Sequence, residues 1–140
     1  MHGEQHQERY HAYILRKLKE LSMIKSYITV RTEFEGFHRY PNAGEIDPRI
    51  KFLEVDHRHM FKVEVTASVT HHDRELEFFL VKWALRDFIK NGNMDHKSCE
   101  MIANEILEQH LIPLYGADRE YTIVVSEDGE SDGIIKYIPE

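Results

Sequence analysis

Three histidines have the types and spacing for metal chemistry. His57 and His59 flank a single residue, Arg58. On an extended strand, residues i and i+2 project to one face, roughly 6.5–7 Å apart at Cα from the rise per residue. His57, His59, Phe61, Val63, Val65 and Val69 share one parity, and Arg58, Lys62, Glu64, Thr66, Ser68 and Thr70 share the other. Both imidazoles therefore belong to the apolar, inward face of a half-buried antiparallel strand. His38 ends a second alternating segment and has the inward parity of Ile28, Val30 and Phe34. If the two segments pair antiparallel, three imidazoles converge near one end of a sheet. Three protein nitrogens with an open fourth position is the layout of a catalytic zinc site. The open position takes water or polarises a substrate oxygen. The alternative is three histidines on an apolar face, each satisfied by hydrogen bonds.

The elements that must position these residues are legible in outline. Residues 5–24 read as an amphipathic helix, with Tyr10, Tyr13, Ile14, Leu18 and Leu21 at helical spacing. Ser26 to His38 reads as a strand, and 39–53, with Pro41, Asn42, Gly44, Asp47 and Pro48, as a loop. The clearest strand runs from about His57 to Thr70, and His71-His72-Asp73 is a polar turn. A helix is expected over 75–90, with Phe78, Val81, Lys82, Leu85, Phe88 and Ile89 along one side, ended by Asn91-Gly92-Asn93. Trp83 and the Phe78–Phe79 pair read as helix packing. A second helix is expected from Ser98, as N-cap, to His110, with Pro113 stopping it shortly beyond. Tyr121 to Ser126 is a strand, Asp128-Gly129 and Asp132-Gly133 are turn signals, and Ile134 to Ile138 is a final strand. This order predicts an α+β domain: a four-stranded antiparallel sheet with two helices on one face, over 26–140, preceded by a helical extension over 1–25.

Composition bounds the function. The 140 residues suffice for one domain with a real core, and 41% hydrophobic with 31% charged residues is a globular balance. A net charge of −7 argues against nucleic-acid binding, which needs a basic face. The single cysteine, Cys99, excludes an intramolecular disulfide and reads as intracellular, with a cytoplasmic location expected. The N-terminus is polar rather than signal-like, and no apolar run approaches the ~20 residues that span a bilayer, so no membrane partner is expected. Histidine is the outlier, with ten residues; His2, His6 and His11 fall on an N-terminal face where exposure is expected.

The residues around the three histidines carry a resemblance. Phe34-Glu35-Gly36-Phe37-His38-Arg39 is similar to an F-x-A-x-H-R opening, and His57-Arg58-His59-Met60-Phe61-Lys62-Val63-Glu64-Val65 to an HGHNYxVxV segment. Met94-Asp95-His96 is similar to LDH, Ser98-Cys99-Glu100 to P-T-x-E, and Val124-Val125-Ser126-Glu127 with Gly133 and Tyr137 to a closing V-x-E-T pattern. In this order, over about residues 27–138, they resemble the 6-pyruvoyl-tetrahydropterin synthase / 6-carboxy-tetrahydropterin synthase family. The resemblance implies the tunnelling fold, ββααββ subunits joined edge to edge into a barrel, with a trimer or hexamer expected. It implies His38, His57 and His59 as zinc ligands and Asp95 and His96 as catalytic partners in proton transfer. It also implies Glu127 as the anchor of a pterin or purine-like ring, a bidentate charge-assisted pair.

The sequence departs from the family pattern at defined places. Leu53 stands where the family has its catalytic cysteine, four residues before the histidine pair, and Glu54 is the candidate substitute base. Arg58 replaces the central glycine, and the gap from His96 to Glu100 is short. Two functions follow as expectations. One is a zinc-dependent lyase acting on dihydroneopterin triphosphate or a related reduced pterin, moving protons along its side chain and cleaving C–O or C–C bonds. The other is a non-catalytic pterin or purine-nucleotide-binding protein on the same fold.

Overall fold

The structure, a computed structural model, describes residues 2–21, 23–90 and 94–140. Four strands, β1 (Ser26–His38), β2 (His57–Val69), β3 (Tyr121–Glu127) and β4 (Ser131–Tyr137), form one open antiparallel sheet in the order β1-β2-β3-β4. Helices α1 (His2–Leu21), α2 (Ala43–Ile46), α3 (Phe78–Lys90), α4 (Cys99–Glu105) and α5 (Ile112–Tyr115) complete the α+β architecture. No helix of the described residues is long and apolar enough to cross a membrane.

The period-two pattern of β2 places Phe61, Val63, Val65 and Ala67 in the core, where they meet Ile123 and Val125 of β3 and the helical layer of Val81, Leu85, Ile102, Ala103, Ile106 and Leu107. Phe61 is fully buried, and burying a side chain of that kind stabilises by roughly 1.5–3 kcal/mol. β2 is flanked on both sides, so its register is fixed twice: Val63 pairs with Thr32 of β1 and with Val125 of β3. A slip of one residue would turn its whole apolar set to solvent.

Several local expectations are corrected. The loop after β1 contains α2 and a 3-10 helix over Pro48–Glu54, started by Asp47, whose carboxylate accepts from the Arg49 N–H at 2.8 Å. Helix α3 begins at Phe78 rather than 75, because Glu75 is engaged by Thr70 and Arg119 and Glu77 accepts from the Leu80 N–H. Phe78, Phe79 and Trp83 are exposed rather than packed; the core side of α3 is Val81 and Leu85. The helix stop expected at Asn91-Gly92-Asn93 lies outside the described residues. Pro113 does not stop the next helix. A π turn over Ile106–Leu111 follows α4, and α5 then carries Pro113 in its first turn, where its missing N–H is tolerated. The chain leaves at Gly116, whose φ of 102° suits glycine.

Gly133 lies inside β4 rather than in a turn. A Cβ there would come within 2.6 Å of the Glu100 backbone nitrogen and 2.8 Å of Cys99 Cβ. The glycine lets the start of α4 rest against the end of β4. Ser98 caps that helix, accepting from the Met101 N–H at 3.2 Å, as the sequence predicts. Described α1 side chains from Gly3 to Leu18 are exposed.

Candidate metal centre

Strand pairing gathers the histidines. His38 is the direct cross-strand partner of His57, and Gly36 is that of His59. All three rings project to the same side at the end of the β1–β2 ladder, with centroids 4.6 Å (His38–His57), 5.1 Å (His38–His59) and 4.9 Å (His57–His59) apart. One potential ligand atom from each lies within 4.8 Å of the others, so the cluster can hold a metal ion. Gly36 leaves room for the Met94 side chain, which a Cβ there would meet at 2.6 Å.

Each ring is oriented by its other nitrogen. His38 Nδ1 lies 2.9 Å from the Lys97 carbonyl, and His57 Nδ1 lies 2.9 Å from the Val55 carbonyl. A carbonyl only accepts, so both Nδ1 atoms carry the proton. His59 Nδ1 lies 2.6 Å from Asp128 Oδ2. The hydrogen bond from that ring, with a second from the Met60 N–H, holds the Asp128 carboxyl below its usual range, so it too is an acceptor. With Nδ1 carrying the proton, the neutral form of each ring has its lone pair at Nε2. His38 is buried, and Nε2 of both His38 and His59 is buried without a hydrogen-bond partner. Orphaned buried polar atoms are costly, and a metal cation is a partner that imidazoles oriented through Nδ1 fit at Nε2.

Glu127 completes the polar side of the cluster. Its Oε1 is 3.2 Å from His38 Nε2, and its Oε2 is 3.6 Å from His59 Nε2, neither aligned as a hydrogen bond. It sits opposite Phe61 in the β2–β3 register, on the same inward parity as the histidine pair.

The cluster borders a pocket of about 560 Å³ lined by His38, His57, His96, Cys99, Glu127 and Asp132 among others. His96 is thus brought to the site. Asp95, with a φ of 28°, places Oδ2 3.5 Å from His96 Nδ1 and Oδ1 3.5 Å from Arg39 Nε. Cys99 also faces the pocket, its Sγ 3.8 Å from Glu127 Oε1. Burial first, then the Glu127 and Glu100 charges, push this thiol up to about 12, so it stays protonated near neutral pH. Leu53 lines the pocket, but Glu54 does not: its Oε2 accepts from the Gly44 N–H at 2.8 Å, on the α2 side of the loop.

The chain matches no family model and no curated protein. The site therefore has to be read from its own chemistry. Sequence reasoning missed Asp128 as a contributor, taking it only as a turn residue. The available signal was a second carboxylate directly after Glu127, at a hairpin that the β2–β3 pairing carries back to Met60.

Proposed function

We propose that this chain is a zinc-dependent protein of the pterin-synthase type, binding a reduced pterin or purine-like ring beside a metal held by His38, His57 and His59. The observation that carries the reading is the set of three imidazoles with engaged Nδ1 atoms, two of them with buried, unpartnered Nε2 atoms, next to a 560 Å³ pocket. The residues fit a divalent cation with nitrogen ligands. When bound, zinc would supply Lewis-acid polarisation of a substrate oxygen.

The chain's own groups do the rest. Glu127 lines the pocket, its carboxylate beside the His38 and His59 rings, and can clamp the guanidine-like edge of the heterocycle. His96 lines the same pocket and can take a proton at one ring nitrogen while Asp95 steadies the other. Proton movement of this kind supports cleavage of the pterin side chain, as in a lyase acting on dihydroneopterin triphosphate or a relative. The tunnelling fold would place the pocket where subunits meet, with the free edges of β1 and β4 closing a trimeric or hexameric barrel.

A second reading, pterin or purine-nucleotide binding without turnover, is favoured by two observations. Glu54 is spent on the Gly44 backbone, and Cys99 is held as a neutral thiol. Incubating zinc-loaded protein with dihydroneopterin triphosphate separates the two: product formation above background supports the lyase, and tight binding of neopterin without product supports the binding protein. The absence of both product and binding rejects the pterin reading.

A further inference from the structure

We infer that Asp128 is the positioning residue for His59, fixing this imidazole in the tautomer that leaves Nε2 free for a cation. The inference rests on the metal-centre reading above and deepens it. For His38 and His57, the orienting acceptors are main-chain carbonyls. His59 alone depends on a side chain, 2.6 Å away at Asp128 Oδ2.

Asp128 is itself pinned from three directions. Its Oδ1 accepts from the Met60 N–H at 2.8 Å, its own N–H donates to the Met60 carbonyl at 2.8 Å, and its φ of 55° sets it in the left-handed turn after β3. Aspartate and asparagine adopt that conformation far more readily than most residues. Each carboxylate oxygen therefore meets one N–H donor. The hairpin turn and the metal ligand are coupled through one side chain.

Asparagine makes the test sharp, because it keeps the turn and the shape. The Met60 N–H and the His59 ring meet different oxygens of Asp128, so in the same geometry the single amide oxygen of asparagine serves one of them. With the oxygen on Met60, the NH2 group faces His59 Nδ1, which must then accept. The ring proton moves to Nε2, where a metal would bind.

The experiment uses the full chain. Two-bond ¹H–¹⁵N ring spectra of metal-free protein locate the imidazole protons, and competition with a chromophoric chelator measures zinc affinity. Wild type is expected to show His59 protonated at Nδ1. Asp128→Asn should move that proton to Nε2, leave His38 and His57 unchanged, and weaken zinc binding about 10–100-fold. Asp128→Ala, which removes the acceptor without adding a donor, should give mixed His59 tautomers and a loss in the same range. Glu130→Gln, on the same exposed hairpin, should alter neither readout. A His59 tautomer identical in wild type and both Asp128 variants, or undiminished zinc affinity in both, overturns the inference. Wild type that takes up no zinc yet shows the tautomer shift overturns the metal-centre reading instead and leaves the control of His59 by Asp128 standing.

Discussion

His38 and His57 face one another across the β1–β2 ladder, the last pair of its register, with ring centroids 4.6 Å apart. The sheet itself brings one potential ligand nitrogen of each within 4.8 Å of the other. Zinc should therefore load to about one per chain, as a three-histidine site requires, and His57→Ala or His59→Ala should abolish it. Chelation should lower the melting temperature, since a ligand at 100 times its Kd stabilises the folded state by about 2.7 kcal/mol. Folded wild-type protein that takes up no zinc in metal analysis would remove the site.

Glu127 is predicted to serve ligand recognition more than metal retention. Glu127→Gln keeps the shape but exchanges one acceptor for a donor. Loss of a charge-assisted hydrogen bond costs about 1.5–3 kcal/mol, or roughly ten- to a hundred-fold in neopterin affinity by calorimetry. Zinc content should stay near that of wild type. Equal neopterin affinity in the two proteins would contradict the anchoring role.

Glu54 separates chemistry from architecture in the same region. Its carboxylate accepts from the Gly44 N–H, so Glu54→Ala should cost about 1.5–3 kcal/mol of stability while zinc and neopterin binding persist. Chemical denaturation with parallel binding measurements checks this. Turnover that falls in Glu54→Gln, with stability intact, would instead assign Glu54 to catalysis.

The contact of β4 with the start of α4 should be intolerant of a single methyl group. In Gly133→Ala the new Cβ meets the Glu100 backbone nitrogen at 2.6 Å and Cys99 Cβ at 2.8 Å, besides the more yielding Glu100 carboxylate. Overpacking of this kind costs typically about 1–3 kcal/mol, and because Cys99 lies in the pocket wall, neopterin binding should weaken as well. A variant as stable as wild type in urea would show that α4 shifts freely.

His110 predicts a pH dependence of stability. It is buried, stacked on Phe88 at 4.9 Å, and its Nε2 has no partner. Burial holds its pKa below the ordinary value, so the unfolded chain binds a proton more readily than the folded one. Stability from this group is full above about pH 6.5 and is lost as pH falls toward the lower folded value. His110→Phe removes the titrating group and should reduce the drop in melting temperature between pH 7.5 and 5.5. An identical drop in both proteins would exclude His110 as a source.

The sequence by itself determined the α+β architecture and the inward parity of His38, His57 and His59. Period-two alternation over 57–69 leaves only one face for the core, and any antiparallel pairing that buries Val30 and Phe34 carries His38 to the same side. Local patterning also determined the Ser98 cap. Tertiary structure decided what no spacing encodes. Register alone set His38 opposite His57. The fold of the 95–98 loop supplied the Lys97 carbonyl that orients His38, and the β3–β4 hairpin returned Asp128 to His59 across 69 residues of chain. It also turned Glu54 toward Gly44 and enclosed Cys99 as a neutral thiol. Alternation is a local property of the chain and is written in each segment. The tautomer of an imidazole is set by whichever acceptor folding brings to its far nitrogen, and that acceptor comes from a different element for each of the three rings.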